Sequence, residues 1–535
     1  MIKIYQIAFI ICFLQIGIAQ GKFDESIVEN KVSSNFNINE KEQLKWVGTK
    51  EYRYFSDNST VIPKTNSLHG IYGDLLNDDP DYNPKAAWWK PAVQVIGVNL
   101  FVFAIDRYIF KYTWSTSVGS ESWNHNIKTG WVWDDDRFGM NFLAHPYTGS
   151  QYFTSARAQG YGYFGSFPYA VEGSLLWEYF GENTLPSYND IINTSIDGAF
   201  LGEILYRLSS NILDDRTSGV ERFFREFATF IIDPKRGFDR LLQGKTWRSS
   251  SQEVYQKEPL TIGLSAGIRN LNEGTNFWNG KQNMIFNIQL DYGDPFEYKD
   301  RKPFDVFKVR GDLNFGVGRK ILDNIVGYGL LTGNNIKYGQ MEILYGIFQN
   351  YDYWDNSIFE LATLGFTGGV MTKVNLSTKT NLYTKLHLGI APLEAKSTVF
   401  GPDTSQYRDY NYGNGLEGSF ESTLNIGSVL SFTLVDYYYY DHTFKVALTD
   451  KVTTLERNVA APVSDKLINI FKPRLTINLF GNFRLGFEHL IYNADRYANG
   501  YSPVHIKQTE QKIYLSFSIE DFYHGNAPDN KDKTN

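Results

Sequence analysis

The sequence predicts an α+β protein made of an N-terminal α-helical domain followed by an antiparallel transmembrane β-barrel of about twelve strands. Three observations support this class. Strict alternation of apolar and polar residues recurs through the second half of the 535-residue chain, as period-2 strands require. The first residues have the composition of a secretion signal. Aromatic residues make up 16% of the chain, which is typical of proteins at membrane interfaces.

The beginning of the chain predicts export. Residues 1–19 carry an early lysine and a short apolar run and end in small residues, which predicts a signal peptide cleaved before Gln20. The only cysteine, Cys12, lies inside this segment, so disulfides and thiolate sites are excluded from the mature chain. Residues 20–84 are polar and predict a periplasmic lead-in. A net charge of −7 without basic clusters argues against nucleic acid as a partner.

The helical domain is expected over residues 85–250. Residues 91–105 are uncharged, but this stretch is shorter than a bilayer requires, so a buried or interfacial helix is expected. Thr194, Gly198 and Gly202 recur every four residues, a stripe of small residues that lets another helix approach closely. Further helices are predicted at 167–182, 190–213 and 219–232.

Three residues of this domain are candidates for catalysis. His145, Ser150 and Asp190 have the side chains of a hydrolytic relay, in which a carboxylate orients a histidine that activates a hydroxyl. The spacing does not require a relay, and Ser150 lacks the glycines of a nucleophile elbow. A histidine held by a buried carboxylate for helix packing is therefore the favoured alternative.

Charged residues on these apolar helices form a second candidate group. Arg157, Glu178, Glu203 and Arg207 need partners if they are buried, and Glu203 and Arg207 have the i,i+4 spacing of an ion pair. A structural role is favoured over a polar binding site. The sequence has no phosphate loop, zinc-ligand spacing or dinucleotide fingerprint, so no cofactor and no metal are expected.

The barrel is expected over residues 259–523, with a polar tail at 524–535. The connections predicted after strands 7, 9 and 11 are long, whereas those after strands 4, 8 and 10 are short, as in outer-membrane barrels with short periplasmic turns. A soluble β-sandwich or lipocalin-like barrel is the alternative. The predicted strands are 260–270, 281–293, 304–318, 325–333, 336–350, 357–373, 377–392, 412–426, 428–442, 466–479, 482–494 and 508–523.

Charges on the polar face of these strands predict the lining of the lumen. An even number of strands places both ends of the barrel on the periplasmic side. The helical domain is therefore expected beneath or partly within the periplasmic mouth. The predicted lumen residues are Lys308, Arg310, Asp312, Glu417, Glu421, Arg474, Arg484 and Glu488.

Four motifs carry a resemblance to a known family: NFLAHPYTGS at 141–150, GSLLWEY at 173–179, PSYND at 186–190 and GEILYRLS at 202–209. Together they resemble an uncharacterised domain, common in Bacteroidetes and other Gram-negative bacteria, that is known only as a domain of unknown function. The resemblance covers about residues 85–215 and implies an envelope protein. No activity or catalytic residue comes with it.

These observations favour a non-enzymatic role in the outer membrane. The expected function is that of a pore, a transport component or an envelope-assembly factor whose helical domain plugs or gates the barrel. The expected partners are outer-membrane lipid, other envelope proteins and polar solutes. The alternative is an outer-membrane lipid-modifying hydrolase that uses His145 as its base.

Overall fold

A computed structural model describes residues 85–520 apart from 135, 137, 252, 274–276, 317–320, 357, 399–409, 444–462 and 499. The predicted signal peptide, lead-in and polar tail lie outside the described residues. The helices are α1 Trp89–Ala104, α2 Ser120–Thr129, α3 His145–Arg157, α4 Tyr163–Leu176, α5 Tyr188–Ile192, α6 Gly198–Ile212, α7 Gly219–Ile232 and α8 Pro234–Leu242. π-Helical turns extend α1 (Ile105–Ile109) and α4 (Trp177–Gly181), precede α3 (Met140–Ala144) and join α5 to α6 (Asn193–Asp197).

Helix α6 lies at the centre of the helical region, and all of its residues except Leu201 are buried. The predicted stripe of small residues is where α3 crosses it. A Cβ atom on Gly198 would lie 2.7 Å from the backbone of Gly149, and one on Gly202 would lie 2.8 Å from the ring of Phe153. Glycine is therefore needed at both positions because the two helices are in close backbone contact.

Helix α1 is longer and more exposed than its sequence suggests. The π-helical turn carries it through to Ile109, so that Asp106 and Arg107 lie within the helix instead of ending it. Arg107 donates a hydrogen bond of 2.9 Å to the carbonyl oxygen of Ser115, which accommodates its charge near the helix end. Of the two expectations, the buried helix was wrong, because 6% of the most apolar window of this segment is buried, and the interfacial helix stays a prediction.

The twelve strands form a closed antiparallel barrel in which β1 pairs with β12. The predicted barrel is therefore confirmed. One predicted turn, at 334–335, was wrong by five residues, because the chain turns at Gly339, where φ is +60°. The strands are β1 Leu260–Glu273, β2 Lys281–Tyr292, β3 Phe307–Phe315, β4 Leu322–Tyr338, β5 Met341–Asp355, β6 Phe359–Ser377, β7 Thr380–Thr398, β8 Asn411–Ile426, β9 Leu430–Thr443, β10 Ser464–Phe480, β11 Phe483–Ala498 and β12 Val504–Ile519.

The two ends of the barrel differ. One end, which we call the short-turn end, carries the start of β1, the end of β12 and the brief turns after β4, β6, β8 and β10, together with the longer connection 293–306. The opposite, long-loop end carries the ends of β7 and β9, each of which is followed by a long connection in the sequence. This asymmetry is the one found in outer-membrane barrels.

Contacts across the barrel show which face of each strand points inward. Lys308 on β3 reaches Glu421 on β8 (Nζ–Oε1, 2.9 Å), and Lys512 on β12 reaches Asp312 (Nζ–Oδ2, 3.0 Å). The alternate positions are apolar and open to the surroundings. Leu388, for example, is 60% exposed. A charged interior with an apolar exterior is the arrangement of a β-barrel in an outer membrane.

The helical region packs against the outer wall of this barrel. On β5, Asn350 and Asp352 point inward, so Tyr351 and Tyr353 point outward. The ring of Tyr351 stacks on Phe200 (5.8 Å between centroids), and that of Tyr353 stacks on Phe138 (5.2 Å). We expected the helical region beneath or partly within the mouth of the barrel. The contacts place it elsewhere, because the described helices bind residues of the outer wall and not residues of the lumen.

These wall contacts extend along the height of the barrel. Near the short-turn end, Arg207 binds Asp305 in the connection 293–306 (2.9 Å). Near the long-loop end, the hydroxyl of Tyr412, at the start of β8, donates a hydrogen bond of 2.9 Å to Asp134. The helical region therefore lies beside the barrel, against its outer wall. Its placement on the periplasmic side stays a prediction.

Candidate functional site

A cavity of about 40 Å³ lies in the middle of the lumen and is partly open to solvent. Seven of the residues that line it are charged, and five of these seven are cations. The charged lining residues are Lys308, Arg310, Lys385, Lys472, Arg474, Asp352 and Glu421.

Two of the five cations have carboxylate partners. Lys308 pairs with Glu421 across the lumen, as described above. Arg310 lies 3.2 Å from Asp312 (Nε–Oδ1) and 3.4 Å from Glu488 (Nη1–Oε2). Such pairing offsets the cost of holding charges away from water. These ion pairs join β3 to strands on other sides of the barrel and hold the middle of the lumen together.

Among the described residues, the other three cations, Lys385, Lys472 and Arg474, have no carboxylate oxygen within 4.0 Å. Lys385 donates a hydrogen bond of 3.1 Å to the hydroxyl of Ser419, and its Nζ lies 4.6 Å from the ring centre of Tyr328. The Nζ of Lys472 lies 4.9 Å from the ring centre of Tyr437. Aromatic faces and hydroxyls stabilise an ammonium group, but they do not neutralise it. The residues that line the cavity therefore include five cationic side chains but only two carboxyl side chains.

The lumen is more open toward one end than toward the other. At the short-turn end, the side chains of Asp291 and Arg484 are 39% and 38% exposed, so water reaches charged positions there. Toward the long-loop end, inward-facing apolar side chains pack together into a layer. This apolar layer consists of Trp354, Phe359, Leu361, Ile468, Ile470, Leu490 and Tyr492.

All eight predicted lumen residues lie on the inward face of their strands. Glu417, for example, accepts hydrogen bonds from Asn350 (2.5 Å) and Thr363 (3.2 Å). Lys385 and Lys472 are absent from the predicted set. Lys472 is two residues before Arg474 on β10 and so shares its inward face, which is a pattern that the sequence already contains.

The catalytic candidates in the helical region do not form a relay. His145 lies 3.5 Å from Asp190 (Nε2–Oδ1), but its other ring nitrogen contacts Thr194 at 3.3 Å. Ser150 is fully buried and donates a hydrogen bond of 2.6 Å to the carbonyl oxygen of Tyr147. His145 thus lies between the carboxyl group of Asp190 and the hydroxyl of Thr194, and its role in helix packing stays a prediction.

Asp190 belongs to a buried polar network at the start of α5. The Ser187 hydroxyl caps this helix by accepting a hydrogen bond from the backbone nitrogen of Asp190 (3.2 Å), and it also binds the Asp190 carboxylate. The backbone nitrogen of Ser187 donates to Glu178 (2.7 Å). Burial raises the pKa of Asp190 well above its usual range and that of Glu178 to about 8, with the charge of Asp134 adding to both.

Burial has the opposite consequence for the imidazole of His145. Burial lowers the pKa of His145, and the nearby Asp134 charge only partly offsets this effect. Burial therefore favours the uncharged form of the histidine and the protonated form of the carboxyl groups beside it. Among the described residues, no group of three or more histidine, aspartate and glutamate side chains is placed to hold a metal ion.

The predicted polar cluster is divided between two places. Glu203 accepts from Arg157 (Nε–Oε2, 2.8 Å) and from Arg207 (Nε–Oε1, 2.8 Å), the second being the expected i,i+4 pair. Arg207 continues to Asp305 and to the carbonyl oxygen of Pro303 (2.6 Å) in the connection 293–306. Glu178 does not join this chain of ion pairs. The cluster therefore fastens α3 and α6 to the short-turn end of the barrel.

Residues 130–235 match the family described as Domain of unknown function (DUF3943). This match spans all four motifs noted in the sequence, so an uncharacterised domain precedes the barrel. No curated protein is significantly similar to the chain.

Several solved structures are similar to the barrel alone. The NanC porin has 11% sequence identity, with 48% of this chain and 98% of the porin covered and a TM-score of 0.25. The KdgM porin has 7% identity, with 48% and 99% covered and a TM-score of 0.22. The anion-selective porin from Comamonas acidovorans has 8% identity, with 49% and 98% covered and a TM-score of 0.21.

Proposed function

We propose that this protein is an outer-membrane barrel of the pore or transport class whose lumen accepts small anionic solutes from the short-turn end. The observation that supports this proposal is the mid-lumen cavity, in which Lys385 and Lys472 face the space without a carboxylate partner. Uncompensated charges in a low-dielectric interior are costly. An anion that enters the cavity offsets this cost and is attracted by the field of the surrounding cations.

The apolar layer toward the long-loop end makes this a gated lumen. Passage requires the layer around Trp354 to move, whereas binding from the short-turn end does not. Strand β5 connects the helical region to the lumen, so that a movement of the helices can change the position of the gate. Gln349 on β5 donates to the carbonyl oxygen of Ile196 (2.9 Å) and accepts from the hydroxyl of Tyr163 (2.6 Å). Its neighbour Asn350 binds Glu417 inside the lumen.

The experiment is the conductance of purified protein in planar bilayers under a KCl gradient. We expect an anion-selective reversal potential, which shifts toward zero in the double variant Lys385→Gln/Lys472→Gln, because two inward charges are removed. Lys128→Gln is the control, since Lys128 is exposed on α2 and lies outside the barrel. Cation selectivity, or no conductance and no anion-dependent effect in any variant, would refute the proposal.

The origin and partners of the protein are part of the same proposal. The four motifs support a Gram-negative, Bacteroidetes-type envelope protein, and the apolar exterior of the barrel supports outer-membrane lipid as a partner. Other envelope proteins that supply or receive the solute are consistent with this role. Fractionation of membranes with heat-modifiable electrophoresis tests the placement. A soluble periplasmic protein of fixed mobility would overturn it.

A further inference from the structure

Helix α1 and its π-helical turn form a segment with the dimensions of a membrane span. Trp89–Ile109 contains 21 residues with a mean hydropathy of 1.5, and 6% of its most apolar window is buried. At 1.5 Å per residue its length is about 31 Å, which matches a bilayer core of about 30 Å. Two tryptophans, Trp88 and Trp89, lie at its start and Tyr108 lies near its end, where interfacial aromatic residues are found in membrane helices.

The polar residues in the middle of α1 face the rest of the helical region. Gln94 accepts a hydrogen bond of 2.7 Å from the Nζ of Lys235. Asn99 donates one of 3.1 Å to the carbonyl oxygen of Gly173 and accepts one from the hydroxyl of Tyr152. The opposite face of the helix is left apolar. Its large exposed side chains are Val93, Ile96, Leu100 and Phe101, which are 44–66% exposed.

The position of the helical region on the barrel indicates what covers this face. Gln349, Phe366, Ile390 and Leu416 are successive cross-strand partners on β5 to β8. Helices bind Gln349, whereas Ile390 and Leu416 are each 56% exposed on the same outward face. The helical region therefore covers the outer wall at Gln349. At the same height on β7 and β8, the apolar exterior of the barrel is uncovered.

Helix α7 presents a second apolar face. Phe223 and Phe227 stack with centroids 6.2 Å apart, and they are 62% and 46% exposed. The other side of α7 is ionic, because Arg222 binds Asp215 (2.9 Å) and Glu226 (2.8 Å). An amphipathic helix with this division is typical of one that lies in a membrane interface.

We infer that the helical region is embedded in the outer membrane beside the barrel, with α1 crossing the bilayer and α7 lying in its interface. The occupant of both apolar faces is lipid, because they continue the lipid-facing exterior of the barrel wall on which the region packs. Helices satisfy their own backbone hydrogen bonds, so α1 can face hydrocarbon as the closed barrel does. This inference does not depend on which solute the lumen accepts.

Single-cysteine variants test the inference in the full-length protein, because the only native cysteine lies in the predicted signal peptide. Leu100→Cys reports on α1. Leu388→Cys reports on the lipid-facing barrel, and Lys128→Cys reports on an exposed polar position of α2. Each variant carries a bimane label in vesicles with or without brominated lipid, and heat-modifiable mobility establishes that each barrel is assembled.

We expect brominated lipid to quench the label in L100C as strongly as in L388C and to leave the label in K128C unchanged. An impermeant maleimide should react with L100C at least about tenfold more slowly than with K128C, because water is excluded from the hydrocarbon. Rapid maleimide reaction of L100C without quenching would overturn the inference in favour of a water-exposed helix. Protection of L100C from both reagents would overturn it in favour of a protein partner.

Discussion

The ion pairs of Arg207 help to fasten the helical region to the barrel, so their removal should weaken this attachment. The side chains of Arg207, Glu203 and Asp305 are 3%, 0% and 1% exposed. Removing one partner of a buried pair costs about 3–5 kcal/mol, because the other charge is left uncompensated. Glu203 keeps Arg157, and Asp305 keeps hydrogen bonds from Gln256 (2.9 Å) and the backbone of Lys302 (2.8 Å). We therefore expect Arg207→Met to cost about 3 kcal/mol, the lower limit of this range.

Urea unfolding in detergent micelles, followed by tryptophan fluorescence, measures the free-energy change, and limited proteolysis measures release of the helical region. Arg216→Met is the matched control. Arg216 also binds two carboxylates, Asp214 (2.8 Å) and Glu253 (3.1 Å), but its side chain is 42% exposed. Exposed pairs contribute about 0–1 kcal/mol, so this variant should remain close to the wild type. An R207M protein no less stable than R216M would refute the reasoning.

Two further predictions concern the interior of the helical region. Gly149→Ala places a Cβ atom 1.8 Å from the carbonyl oxygen of Thr194, so urea unfolding should show that the protein loses about 1–3 kcal/mol of stability from overpacking. Gly97→Ala is the control, because no atom lies within 4 Å of its added Cβ, and it should not destabilise the protein. Equal effects of the two substitutions would contradict the close crossing of α3 and α6. Burial raises the pKa of Glu178 from 4.5 to about 8, so the folded state binds this proton more tightly than the unfolded state, and the stability should fall as the pH rises from about 4.5 to about 8. Glu178→Gln should flatten this part of the stability profile, and an unchanged slope in the variant would exclude Glu178 as its source.

The barrel was predictable because the alternation of apolar and polar residues that forms its strands can be read from short stretches of the sequence. Alternation such as that of Ile513 and Leu515 with Lys512 and Tyr514 states directly which residues face lipid and which face the lumen. The lengths of the connections then distinguish the two ends. The position of the turn at Gly339 was less accessible, because Asn334 and Asn335 are common turn residues that here lie within β4.

The helix α3 and the contact between helices and barrel could not be predicted in the same way. Pro146 and Gly149 weaken the helical pattern of α3, whose stability comes from its crossing with α6. Tyr351 and Tyr353 alternate as lipid-facing residues do, and only the folded chain shows that Phe200 and Phe138 cover them. A polar residue at an outward position, Gln349, is a sign of this contact in the sequence.

The barrel and the helical region both bury ion pairs and expose apolar side chains. In the barrel the charges pair inside and the apolar side chains face outward. The helical region has an apolar core that includes Phe153, Phe200 and Ile204, but it also buries the ion pairs of Glu203 with Arg157 and Arg207. Its surface exposes Phe223 and Phe227 of α7. Large apolar faces are unfavourable in water, and the lipid contact inferred above removes this cost. Arg207 joins the buried ion pairs to the barrel through Asp305.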